Sequence, residues 1–236
     1  MNDIPATSRY PQRTLAGGIS VYPVGTGCWA IGGPDCNLGL PMGWSTADDT
    51  AALQGLETAW QSGANLFDTA DIYGHGHSER LLGHLVSQVP REALVLSSKT
   101  GYFSGTAAHP YLPSAMRRQL ETTLENLQTS CLDIYFLHNA EFGTDDQYLD
   151  GAVEQMRAFQ EQGLIRAIGM RGPHRFATDR LTIANSTAKT NTPGSVTCSA
   201  LSARATLPSV STRSPRPRHP AKMTSSRSPP RTGLAC

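Results

Sequence analysis

Residues 65–79 read NLFDTADIYGHGHSE: a short apolar run, an aspartate at its end, and a tyrosine five positions further on. An apolar run this short, closed by a polar residue, is consistent with a buried strand. Asp68 then falls at the strand's C-terminal end and Tyr73 in the loop that follows. Upstream, the stretch 47–61 has a helical pattern and stops just before Gly63, where a helix C-cap glycine belongs. Ser45 or Thr46 is its expected N-cap, with Asp48 and Asp49 favourable in the first turn. Downstream, a shorter helix is expected at 79–87, opened by Ser78 and Glu79 near its positive end, and then a strand at 94–97.

The same alternation runs on both sides of this segment. Strands are expected at 24–27, 65–67, 94–97, 134–137 and 165–169, and helices also at 114–128 and 147–162. Leu120, Leu124 and Leu127 lie at core spacing in one helix, and Val153, Met156 and Phe159 in the other. Gly163 repeats the role of Gly63. Repeated β-α units argue for a parallel sheet, open or closed as a barrel. The glycines of GTGCW, residues 25–29, lack the third glycine and the immediate helix of a dinucleotide-binding fingerprint.

Three polar residues occupy equivalent places. Asp68 ends one strand, Lys99 in SSKTG ends the next, and His138 in YFLHN ends the one after. In a β/α barrel such ends converge on one face, where catalytic groups gather. The chemistry is coherent. A tyrosine hydroxyl, with a usual pKa near ~10, is a poor acid at neutral pH unaided. An adjacent ammonium stabilises the phenolate, and an aspartate keeps that ammonium charged and oriented. A neutral histidine can hydrogen-bond a carbonyl. Together these groups would polarise a C=O and protonate its oxygen as hydride reaches the carbon. His75 and His77 raise a metal-site alternative with Asp68 and His138, but no carboxylate or cysteine has suitable ligand spacing beside them. No metal is expected.

The pattern D-T-A-x-x-Y-G-x-G-x-S-E, followed by strands ending in S-K-x-G and L-H, resembles the aldo-keto reductase superfamily. The likeness covers residues 21–171 and includes GLIRAIG before Met170. The resemblance implies a (β/α)8 TIM barrel, use of NADP(H), and reduction of a small-molecule aldehyde or ketone. It maps the catalytic positions onto Asp68, Tyr73 as acid/base, Lys99 and His138. It implies a cofactor set of Thr26, Gly27, Trp29, Asp68 and Arg171. One departure lies within it: Arg171-Gly172 stands where the family often has Ser-Asn after the fifth strand. A non-catalytic regulatory or interaction protein on the same barrel is the alternative.

Composition changes along the chain. After Asp179 there is no Asp, Glu, Phe, Tyr or Trp, so the net charge of +1 combines an acidic body with a basic tail. The expected division is a partial barrel of about five strands over residues 1–182 and a low-complexity, disordered tail over 183–236. A reading-frame shift near residue 183 would account for the tail, because a shifted frame can encode acidic and aromatic residues again. Without the later strands, the chain alone is expected to bind NADPH weakly or not at all. The tail lacks aromatic residues for stacking, and no nucleic-acid partner is expected. The N-terminus has no apolar signal region and the chain no membrane-length apolar run, so a cytoplasmic protein is expected, with no membrane partner. Five cysteines without a C-x-x-C pair suggest neither a zinc site nor a disulfide framework.

Overall fold

A computed structural model describes residues 11–37, 40–44 and 46–171. The expected tail, residues 183–236, lies outside them. An antiparallel hairpin, β1 (Arg13–Thr14) and β2 (Ser20–Val21), comes first. Next are β3 (Thr26–Gly27) and a second hairpin, β4 (Pro34–Asn37) with β5 (Leu40–Gly43). Regular alternation follows: α1 (Asp49–Gln61), β6 (Leu66–Asp68), α2 (His77–Val86) and β7 (Val95–Thr100). It continues through α3 (Pro113–Asn126), β8 (Leu132–Leu137), α4 (Leu149–Glu161) and β9 (Ile165–Met170).

The central sheet is parallel throughout, in the order β3-β6-β7-β8-β9. Within it each strand lies beside the next one in the chain. A doubly wound sheet reverses its order part-way, whereas a barrel wall does not. The arrangement is therefore five successive staves of a barrel among the described residues. All five expected strands are present, the first shortened to two residues.

Local chemistry explains the element ends. Asp48, not Ser45 or Thr46, caps α1: its Oδ1 accepts from the Thr50 amide at 2.8 Å and the Ala51 amide at 3.3 Å. Its carboxylate also suits the positive end of the helix better than a hydroxyl does. Gly63 and Gly163 follow α1 and α4 with φ of +93° and +73°, the left-handed turn that ends a helix cheaply only at glycine. Pro113 opens α3, where its missing N–H costs nothing.

Helices cover one face of the sheet. Leu56 and Trp60, Leu82 and Leu85, Met116 and Leu120, Met156 and Phe159 form one buried core with Phe67, Leu96 and Tyr135. Full burial of each such side chain favours folding by about 1.5–3 kcal/mol. On the other face, Leu66, Val95, Ile134 and Ala167 meet Ile19 and Val21 of the first hairpin. That hairpin plugs the N-terminal end of the staves. Strand side chains alternate faces, so Asp68, Lys99 and His138 share the plugged face but lie towards its opposite end.

Two carboxylates are buried, and for Glu79 this departs from expectation. α2 begins at His77, and Glu79 points inward rather than resting at an exposed helix start. It is sealed, and accepts from Ser98 Oγ at 2.8 Å and Asn126 Nδ2 at 3.0 Å. Asp133 of β8 is also buried. It accepts from Arg91 Nη2 at 2.7 Å, Arg166 Nη1 at 2.6 Å and the Leu96 amide at 2.9 Å. No helix among the described residues is long and apolar enough to cross a membrane.

Candidate active site

The C-terminal ends of the staves carry the polar groups. Asp68 is the last residue of β6, Lys99 the second-last of β7, and His138 and Arg171 follow β8 and β9 directly. Register sets the meeting of the first two. Asp68 lies opposite Ser97, and the long side chain of Lys99, two residues on, reaches back. Ser97 Oγ donates to Asp68 Oδ1 at 2.7 Å and Lys99 Nζ to Asp68 Oδ2 at 2.7 Å, so both carboxylate oxygens are fixed. The ammonium also donates to the Thr69 carbonyl at 2.6 Å and the Tyr73 hydroxyl at 3.3 Å. Its three donors thus have three acceptors.

Tyr73 sits in a braced loop. Its amide donates to the Ala70 carbonyl at 3.1 Å, and its carbonyl accepts from the Ser78 amide at 3.2 Å. Ser78 Oγ donates to the Cys28 carbonyl at 2.7 Å, and the Cys28 amide donates to the Asp68 carbonyl at 2.8 Å. Gly32 packs against this loop so closely that a Cβ there would lie 2.8 Å from the Tyr73 carbonyl carbon. The Tyr73 ring lies between Trp29, stacked at 5.9 Å, and His138, edge-on at 5.9 Å. Tyr102 meets His138 edge-on at 5.0 Å from another direction.

His138 is buried. Desolvation, and then the positive charges of Lys99 and Arg171, push its pKa down to about 3. It is neutral at any ordinary pH. Among the described residues its sealed Nδ1 has no hydrogen-bond partner. Burial also pushes the Cys28 thiol up to about 12, with Asp68 adding to the effect and Lys99 opposing it. Cys28 is no nucleophile at neutral pH. Beneath the site Asp71 is raised to about 8 by burial first and by Glu79 second, against a hydrogen bond from Gln119.

The two histidines of HGH serve the second hairpin and α1. His75 Nδ1 pairs with Asp35 at 2.5 Å. His77 bridges the Gly32 carbonyl at 3.1 Å and Asp49 at 3.1 Å. Neither converges with Asp68 and His138. The remaining expected residues lie at the same mouth: Thr26 and Gly27 form β3, Trp29 is 46% exposed, and Arg171 is exposed. Sequence reasoning missed Ser97, Trp44 and Tyr102. Ser97 was findable, since two residues before Lys99 on a strand means the same face. Trp44, edge-on to Trp29 at 5.6 Å, comes from a hairpin with no sequence signal.

The profile of the aldo/keto reductase family matches residues 23–196. This chain belongs to that family. Among its relatives are L-galactose dehydrogenase of Arabidopsis thaliana, 30% identical over 61% of this chain and 44% of that protein, and the chloroplastic pyridoxal reductase of the same plant, 32% identical over 67% and 44%. A solved aldo/keto reductase from Klebsiella pneumoniae, in complex with NADP and acetate, superposes with a TM-score of 0.51 at 25% identity, covering 76% of this chain and 54% of that one. The aldo/keto reductase chain described here thus spans about half the length of the curated relatives it matches. Its five parallel staves agree with an incomplete TIM barrel of that family.

Proposed function

We propose that this chain is part of an NADP(H)-dependent oxidoreductase that reduces an aldehyde or ketone to an alcohol, with Tyr73 as general acid. One observation carries the reading: a single ammonium, Lys99 Nζ, bonds both the Asp68 carboxylate at 2.7 Å and the Tyr73 hydroxyl at 3.3 Å. Tyr73 protonates the carbonyl oxygen. Lys99 stabilises the phenolate left behind, and Asp68 with Ser97 holds Lys99 in line. His138 contributes as a neutral donor. A sealed N–H without an acceptor costs more than a sealed lone pair, so Nδ1 is the bare nitrogen and Nε2 carries the proton towards the substrate oxygen. Trp29 shields one side of the Tyr73 ring from water.

The residues present fit a nicotinamide cofactor. A Cβ at Gly27 would meet nothing within 4 Å, so the mouth beside β3 is open. Thr26, Gly27, Trp29 and Asp68 would line that opening, with Arg171 as the cation on its far side. When bound, the cofactor supplies hydride to the carbonyl carbon. The choice of NADP(H) is supported by the family likeness and by the NADP complex of the Klebsiella relative. We further propose that residues 183–236 are out of frame, and that this chain taken alone binds NADPH weakly. Sequencing the gene tests the first point; tight binding in a fluorescence titration would refute the second.

The decisive experiment is NADPH oxidation with a panel of aldehydes, on the form of this protein that carries a complete barrel, compared with Tyr73→Phe. Loss of turnover in the variant is expected. Equal measurable rates would sink the tyrosine assignment, whereas no turnover in either form would favour a non-catalytic role on the same barrel.

A further inference from the structure

We propose that Tyr111 is a positioning residue for His138, setting the backbone on both sides of the imidazole. Tyr111 lies just before α3 and is fully buried. Its hydroxyl donates to the Asn139 carbonyl at 2.5 Å and accepts from the Asn139 amide at 2.9 Å. Both peptide groups of the residue that directly follows His138 therefore depend on one phenol. A tyrosine hydroxyl has one proton to give and lone pairs to receive, so it serves both at once.

The same ring sets the opposite side. Gly101, two residues after Lys99, lies so close that a Cβ there would collide with the Tyr111 hydroxyl and ring. Its φ of +136° is open to glycine and strained for other residues. The chain passes over the phenol at this point, and the next residue, Tyr102, turns its ring edge-on to His138. Phe142, stacked at 4.6 Å, keeps the Tyr111 ring from tilting.

Removing the hydroxyl leaves the Asn139 N–H and C=O unpaired in a half-buried place, and the loop must move to find water. The fold itself has other supports. The His138 amide still donates to the Thr100 carbonyl at 2.8 Å, and the Arg171 amide to the Leu137 carbonyl at 2.9 Å. What is lost is the aim of the imidazole. This inference takes its functional meaning from the reading of His138 as a donor to substrate, but its test does not depend on that reading.

The test uses the ring resonances of His138 in the full chain, without cofactor or substrate, in Tyr111→Phe and in Tyr148→Phe as a control phenol outside the clamp. In Tyr111→Phe the His138 signals are expected to shift or broaden, while those of His84 stay in place. In Tyr148→Phe the His138 signals are expected to stay unchanged. Unmoved His138 signals in a folded Tyr111→Phe protein overturn the proposal, as does an equal change in Tyr148→Phe. If Tyr111→Phe does not fold, hydrogen exchange in the unsubstituted chain decides. The Asn139 amide should then exchange at least about a hundredfold more slowly than that of exposed Gly143. Exchange at the Gly143 rate overturns the proposal.

Discussion

The Lys99 ammonium is bound to the Asp68 carboxylate at 2.7 Å, yet the two partners are unequally sheltered: the lysine side chain is 9% exposed and the aspartate 42%. Removal of either therefore has a different effect on the fold. Asp68→Ala leaves a buried cation short of its counter-charge. Because Asp68 itself is part-solvated, we expect a loss of about 2 kcal/mol rather than the larger cost of a fully buried pair. Lys99→Met leaves a carboxylate that water and Ser97 can serve, and stability should change by less than about 1 kcal/mol. Chemical denaturation of both variants reads the asymmetry; equal losses would contradict it. Under the proposed function, carbonyl reduction measured on the form with a complete barrel should fall in both, by about 10²-fold or more.

His138 should remain neutral through the physiological range. Its pKa is held near about 3, by burial before the charges of Lys99 and Arg171. The folded value is depressed below the usual histidine value of about 6.5. The corresponding stability is fully present above pH 6.5 and is lost as pH falls towards 3. A proton NMR titration should find no His138 midpoint between pH 5 and 8. A midpoint near 6.5 would show that the ring is solvated.

Asp71 has the opposite sign. Its folded pKa is raised from 3.8 to about 8, chiefly by burial and then by Glu79, with Gln119, the Ile72 backbone and Lys99 working against the shift. The protonated carboxyl is the form the fold prefers. Its stabilisation is complete below pH 3.8 and is lost as pH rises through 8. Between pH 6.5 and 8 the His138 contribution is constant, so stability should fall with pH by up to about 2 kcal/mol. Asp71→Asn is neutral and keeps an acceptor for Gln119. It should flatten most of that slope, although Glu79, also raised by burial, retains a share. An unchanged slope would remove Asp71 from the account.

Asp133 gathers two arginines and one strand amide at the far end of the staves from the site. Asp133→Asn leaves two guanidinium groups facing a neutral amide. Stability should drop by about 3 kcal/mol, as when a buried ion pair is broken by removing one member. The His138 and Tyr73 resonances should not move. A selective change in those signals, with stability unaltered, would refute the structural role.

Much of this was legible in the sequence because the signals are local. Strand ends show where apolar runs stop, and Asp68, Lys99 and His138 declared themselves by stopping three of them. Gly63 and Gly163 marked helix ends because a left-handed turn has few other occupants. What stayed hidden depends on distant partners. Glu79 reads as a helix-start charge until Ser98 and Asn126 are known to face it. Asp48 displaced Ser45 and Thr46 as a cap because the chain turns helical later than the residue preferences imply. The two hairpins use strands of two and four residues, too short for alternation to register. Tyr111 and Asn139 lie 28 residues apart, and nothing in either neighbourhood names the other.

The unreversed strand order has a consequence for how this site comes into being. In the central sheet each stave pairs with the one synthesised just before it. From β6 onward each pairing spans a single β-α unit, the shortest kind of connection a parallel pair allows. As the chain leaves the ribosome, Asp68 emerges first, then Tyr73, Lys99 and His138, each onto an edge already laid down. The four candidate site residues thus all lie in a stretch that matches less than half the length of the relatives.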